Sequence, residues 1–156
     1  MNAPRPPYAG GCLCGAVRYE LKEEPRTFYA CHCTDCQRRT GAAFGLSLVV
    51  DRDAVELQKG DTVRTFARLD DGRTKQGAMC ATCGTRLWGE SMRNRDFVII
   101  QPGSLDDRSW VKPVAHLWTR SAHPWFKFTE GAVLFETQPK EPWKELFKLW
   151  DERSQR

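Results

Sequence analysis

Cys31-His32-Cys33-Thr34-Asp35-Cys36-Gln37-Arg38-Arg39-Thr40-Gly41 sets three thiols inside six residues and closes on a glycine. Outward from this stretch, the rest of the chain's 7 cysteines fall in two pairs, Cys12/Cys14 upstream and Cys80/Cys83 downstream. Seven is odd, Met1–Gly10 holds no apolar run that reads as a secretory signal, and the spacings are short, so structural disulfides fit poorly. In a reducing compartment, grouped thiols are metal ligands or redox groups. A closed structural zinc site takes four ligands, whereas a zinc with three protein ligands keeps a position for water or substrate. The seven cysteines therefore divide naturally as four plus three, one closed zinc and one open. Spacing alone leaves the grouping open. Cys12/Cys14 with Cys80/Cys83 leaves the local trio Cys31, Cys33 and Cys36. Cys33/Cys36 with Cys80/Cys83 strands Cys12, Cys14 and Cys31, and a single zinc beside three free thiols is a third arrangement.

The segments that carry these ligands read mainly as β. Ala16–Lys22 alternates, with Val17, Tyr19 and Leu21 on one face and Arg18, Glu20 and Lys22 on the other. After a turn at Glu23-Glu24-Pro25, Arg26–Cys33 reads as a second strand, with Cys31 and Cys33 on one face and His32 on the opposite one. Thr34-Asp35-Cys36-Gln37 fits a capping box with Thr34 as N-cap, and Gly41 ends a short helix. Phe44–Val50, Val55/Leu57, Val63–Leu69, Thr74–Met79, Arg86–Trp88 and Phe97–Gln101 read as further strands. A hairpin turn is expected at Asp70-Asp71-Gly72, and Cys80–Gly84 is a Cys-x-x-Cys-Gly knuckle. Beyond Trp110 the chain reads as aromatic loops. Trp143, Leu146, Phe147 and Trp150 then recur at helical spacing, after Pro139 and Pro142, as an amphipathic helix. The expectation is one domain: a flexible lead over 1–9, a zinc-binding body over 10–138, and a C-terminal helix over 139–156 packed on it.

Composition narrows the function. Hydrophobic residues at 40% and charged residues at 28% describe an ordinary folded chain. No apolar run approaches the length that spans a bilayer, so no membrane partner is expected and a cytoplasmic location is. The formal charge of +4 invites a nucleic-acid reading, but seven thiolates subtract seven and two zinc ions add four, leaving +1. No nucleic-acid partner is expected. Zinc-dependent deaminases need a His-x-Glu or equivalent beside Pro-Cys-x-x-Cys; Met79 precedes Cys80 here, and neither His-x-Glu nor Cys-x-Glu occurs.

GGCLCGAVRYE, CHCTDCQRRTGAAFG and MCATCGTRLW, with the later QPGSLDD and HLWTRSAHPW, resemble the glutathione-dependent formaldehyde-activating enzyme family, also called the centromere protein V family. The resemblance runs from about Gly10 to about Pro139. It implies a zinc-bearing, mostly antiparallel β-tent. It also implies structural zinc ligands at Cys12, Cys14, Cys80 and Cys83, and active-site zinc ligands at Cys31, Cys33 and Cys36. The chemistry it implies is reversible carbon–sulfur bonding between a thiol, such as glutathione, and an aldehyde, as in S-hydroxymethylglutathione. A thiol attacks only as thiolate, and a coordinating metal deprotonates it.

The remaining expectations are individual residues. His116, in the HLW segment, is the candidate for proton transfer. Arg38 and Arg39 are candidates for binding the carboxylates of an anionic thiol. His32, on the far face of its strand, reads as structural or solvent-facing. Asp35 reads as a first-turn helix charge, His123 as a loop residue, and Phe44 and Trp125 as packing. The alternative to an enzyme is a zinc-stabilised binding module without catalytic activity.

Overall fold

The structure, a computed structural model, describes residues 4–69, 72–90 and 94–153. Among these residues the chain is mainly β, with eleven strands and two α-helices. It divides into two compact units, Met1–Pro25 with Val49–Trp110 and Arg26–Leu48 with Val111–Arg156. Each unit is assembled from two separate segments of the chain. Asp70 and Asp71 of the expected hairpin turn lie outside the described residues.

In the first unit, β1 (Tyr8–Gly11), β2 (Arg18–Leu21) and β5 (Val55–Lys59) form an antiparallel sheet in the order β1-β2-β5. Tyr8 and Ala9 open β1, and the Tyr8 ring stacks on Trp110 at 4.8 Å. The alternation read from the sequence is present, with Val17, Tyr19 and Leu21 all buried. A second antiparallel ladder runs β6 (Thr62–Arg68), β7 (Thr74–Cys80), β8 (Arg86–Glu90) and β9 (Phe97–Ile100). Its β7 ends on Cys80. Leu87, Ile100 and Leu105 close this unit's core. Apolar burial of this kind contributes roughly 25 cal/mol per Å² removed from water.

The second unit contains a parallel sheet that the aromatic loops gave no hint of. β3 (Thr27–Cys31), β10 (Ala115–Leu117) and β11 (Val133–Phe135) lie in the order β11-β10-β3, with Leu117 opposite Cys31 and His116 opposite Ala30. Every residue of β10 is buried, so both of its faces are covered. The chain passes from this unit to the first within β4 (Gly45–Asp51). Two helices, α1 (Thr34–Thr40) and α2 (Pro142–Arg153), complete the unit. Leu146 and Trp150 of α2 are buried, as the helical spacing required, and Thr27 Oγ1 donates to the Leu146 carbonyl at 2.9 Å. Cys31, Ala115, Leu117 and Leu146 form one apolar cluster, against which Tyr29, Cys33, Cys36, Val133 and Phe135 pack. Strand alternation then places Ala30, His32 and His116 on the opposite face.

Candidate metal centres

The four-sulfur group is built from two tight turns of the first unit. Cys12 follows β1, and its chain doubles back so that the Cys12 N–H reaches the Val17 carbonyl at 3.0 Å. Cys80 ends β7, and the knuckle closes through a Gly84 N–H to Cys80 carbonyl bond of 3.0 Å. Cys14 Sγ then lies 3.5 Å from Cys12 Sγ and 3.8 Å from Cys80 Sγ. All four sulfurs, with Cys83, are within 4.8 Å of one another. A zinc–sulfur bond of ~2.3 Å sets the edge of a four-sulfur tetrahedron at about 3.8 Å, so the quartet has the spacing such an ion needs. Neighbouring donors also favour thiolates. The Val17 N–H points at Cys12 Sγ at 3.2 Å. The Leu13 N–H donates to Thr85 Oγ1 at 3.1 Å, which leaves the Thr85 hydroxyl to donate to Cys83 Sγ at 3.1 Å. That hydroxyl is the main reason the Cys83 thiol is held down to about 5.

The three-sulfur group lies wholly in the second unit, at the passage from β3 to α1. Cys31 ends β3, and Cys33 is the N-cap of α1, its sulfur accepting from the Cys36 N–H at 3.4 Å. The cap is therefore Cys33 and not Thr34. The expected capping box is absent because the Gln37 side chain is used elsewhere: its amide donates to the His32 carbonyl at 2.8 Å and to the Ser121 carbonyl at 2.9 Å. Gly41 ends the helix with φ 65°, a left-handed cap that favours glycine. Gly45 has a different role, because a Cβ there would lie 3.2 Å from Cys36 Cβ and 3.4 Å from Cys36 Sγ. Its missing side chain leaves the space that Cys36 occupies.

The trio's sulfurs also lie within 4.8 Å of one another. Hydrogen bonds from Cys31 and Cys36 pull the Cys33 thiol far down, and the same contact with Cys33 pushes Cys31 far up. Negative charges on three sulfurs this close repel one another, and a bound divalent cation would favour their ionised forms. The donor set fits a thiophilic ion with one position left for an outside ligand.

The structure separates the other candidates. Arg39 is half-buried, whereas Arg38 is exposed on the same helix; the Cys36 thiol is lowered by Cys31 and, less, by the Arg39 charge, but contact with Cys33 and burial outweigh both and leave it raised. His123 is exposed and stacks on Trp125, itself 68% exposed, so Trp125 is not packing as expected. His32 is 0% exposed and His116 1%, which corrects any solvent-facing role for His32. Their rings bond directly, His32 Nε2 to His116 Nδ1 at 2.9 Å. Around them stand Phe44, Phe126 and Phe128, with ring centroids 4.9 to 5.5 Å from His32. Burial lowers both imidazoles' affinity for a proton, His116 to about 4. His116 Nε2 accepts from the Thr129 N–H at 3.2 Å, so both of its nitrogens are engaged. By strand alternation it lies on the sheet face away from the trio, bonded to His32 and Thr129. Sequence reading missed Gln37, Gly45, Thr85 and Thr129, and of these only Gly45 carried a local signal, a glycine opening an apolar strand.

Strands and turns that gather one group of four sulfurs and one of three define a β protein with two cysteine clusters that could each hold a metal ion. The chain belongs to the family described as glutathione-dependent formaldehyde-activating enzyme, which matches residues 7–121. It is similar to a protein of Penicillium rubens provisionally named glutathione-dependent formaldehyde-activating enzyme, 29% identical over 132 residues, 75% of this chain and 67% of that protein. An Aspergillus terreus protein with the same provisional name is 29% identical over 119 residues, 69% of this chain and 60% of its own length. Among solved structures, a Rhodobacter sphaeroides protein shares the fold with a TM-score of 0.50 at 21% identity, over 67% of this chain and 91% of that one. Among the described residues, no helix is long and apolar enough to cross a membrane.

Proposed function

We propose that this chain is a zinc-dependent carbon–sulfur lyase-type enzyme that makes and splits adducts between a small thiol and an aldehyde, with S-hydroxymethylglutathione the representative substrate. The observation that carries the proposal is the unequal pair of sulfur groups, four and three. Cys12, Cys14, Cys80 and Cys83 would hold a structural zinc, and Cys31, Cys33 and Cys36 would hold a second zinc, three protein ligands leaving a place for an outside one. When bound, the second ion supplies a thiolate from the incoming thiol at neutral pH. The net reaction joins the thiol's sulfur to the aldehyde carbon, breaks the carbonyl π bond and moves the thiol's proton to that oxygen, giving the hydroxymethyl thioether.

The chain's own residues hold and orient. Cys33 and Cys36 are spaced by one turn of α1, and Arg39 on that helix brings positive charge to Cys36. Arg39 and Arg38 would receive a carboxylate of an anionic thiol such as glutathione. A soluble thiol as partner, a cytoplasmic setting, and no nucleic-acid or membrane partner complete the proposal.

Cys36→Ser provides the test. The variant is expected to stay folded, lose one of two zinc ions, and lose catalysed exchange between formaldehyde and S-hydroxymethylglutathione followed by NMR. Exchange at the wild-type rate, or no exchange by the wild type, would leave the zinc-stabilised binding module as the better reading.

A further inference from the structure

His32 stands between two cysteines of the trio, and all but one of its polar atoms are held. Its N–H donates to the Leu117 carbonyl at 2.9 Å, and its carbonyl accepts from Gln37 Nε2 at 2.8 Å. The ring's direction follows from a fixed donor further back. A backbone N–H can only donate, so His116 Nε2, 3.2 Å from the Thr129 nitrogen, is an acceptor. Neutral His116 therefore carries its proton on Nδ1 and donates it to His32 Nε2 at 2.9 Å. Neutral His32 must then carry its own proton on Nδ1. That atom is buried with no hydrogen-bond partner, among rings that offer only their π faces.

The Gln37 amide uses both hydrogens as well, tying α1 to His32 and to Ser121. A chain of one-way hydrogen bonds thus runs from Thr129 through His116 to His32, and Gln37 fastens the same residue from the other side. β3 ends at Cys31 and α1 begins after Cys33, so His32 is the joint on which the Cys31–Cys33 spacing depends.

Building on the proposed open metal site, we infer that His32, His116 and Gln37 are positioning residues for the three-cysteine centre, the histidines acting from the opposite face of the sheet and Gln37 from α1. They set the backbone that carries Cys31 and Cys33, and so the affinity of the trio for its ion. Outer partners of this kind typically change metal affinity by about 10- to 100-fold.

The experiment measures zinc affinity at each site of the full-length protein by competition with a chromophoric chelator. His116→Phe fills the space but removes both hydrogen bonds, and Gln37→Leu removes the other tie. Each is expected to weaken the trio's ion about 10- to 100-fold while the quartet's ion is unchanged. His116→Gln keeps one acceptor and one donor at that position and is expected to recover most of the loss. Unchanged trio affinity in His116→Phe and Gln37→Leu overturns the inference. So does equal weakening of both sites, which a general loss of stability would produce. Nitrogen-15 spectra of the imidazoles give a second readout that needs no metal: both rings are expected as Nδ1–H tautomers, and Nε2–H at either refutes the network. If wild-type protein holds no ion at the trio, the proposed function fails. The tautomers, together with the effect of His116→Phe on exchange protection of the His32 amide, then decide the positioning role.

Discussion

Gly45→Ala tests the reading of the trio at a residue that is not a ligand. The new Cβ would sit 3.2 Å from Cys36 Cβ and 3.4 Å from Cys36 Sγ, with Thr40 Cγ2 at 3.7 Å. Ordinary contact begins near 3.4 Å, so Cys36 must retreat by a few tenths of an ångström. A metal–sulfur site tolerates about 0.2 Å. Overpacking of this kind costs about 1–3 kcal/mol. If Cys36 can retreat in the metal-free protein but not in the loaded one, that cost falls on binding. At 1.4 kcal/mol per factor of ten, it weakens the trio's ion by about 5- to 150-fold. The expected result is selective loss of the trio's zinc under chelator competition, with the quartet's zinc retained. For a chain of this size the melting temperature of the loaded protein should fall by about 2–12 °C. Gly41→Ala is the control. It has nothing within 4 Å but a φ of +65°, so it strains only the backbone, at about 1–2 kcal/mol and with no selective effect on metal. Wild-type zinc affinity at the trio in Gly45→Ala would refute the assigned packing of Cys36.

Further outcomes follow from the same geometry. Thr85→Val removes the hydroxyl that donates to Cys83 Sγ, and should raise the Cys83 thiol pKa and weaken zinc at the quartet about tenfold by chelator competition. Leu146→Ala empties a fully buried position of α2 and should cost about 2–5 kcal/mol in urea unfolding. His116 should make the fold acid-sensitive. Its pKa is 6.5 when unfolded and about 4 when folded, so the unfolded chain binds more protons between those values and stability falls as pH drops through that window. The full difference is on the order of 3 kcal/mol. Comparing wild type with His116→Gln isolates it, because cysteine protonation affects both alike; parallel pH–stability curves would refute it.

Much of the β architecture was legible because alternation is local. Val17, Tyr19 and Leu21 declare their buried face within six residues, and the helical stripe at Leu146 and Trp150 does the same over two turns. β10 and β11 were not legible. Three-residue strands carry too little alternation to register, and they are strands only because β3 and each other supply their partners. The N-cap moved from Thr34 to Cys33 for a related reason: Gln37, which the capping box needed, is claimed by Ser121, 84 residues away.

The sequence by itself determined the ligand chemistry. Seven cysteines in three short groups admit few metal-site groupings, because spacing along a turn decides which sulfurs share a face. Only the tertiary structure decided which pairs meet, since Cys14 and Cys80 are 66 residues apart and nothing local links them. It also decided the histidines. A lone imidazole in a sequence has no direction, and His32 and His116 acquired theirs only when the parallel register set β10 beside β3 and the stretch before β11 brought the Thr129 N–H to His116. Hydrogen bonds between distant segments carry that information, and periodicity does not.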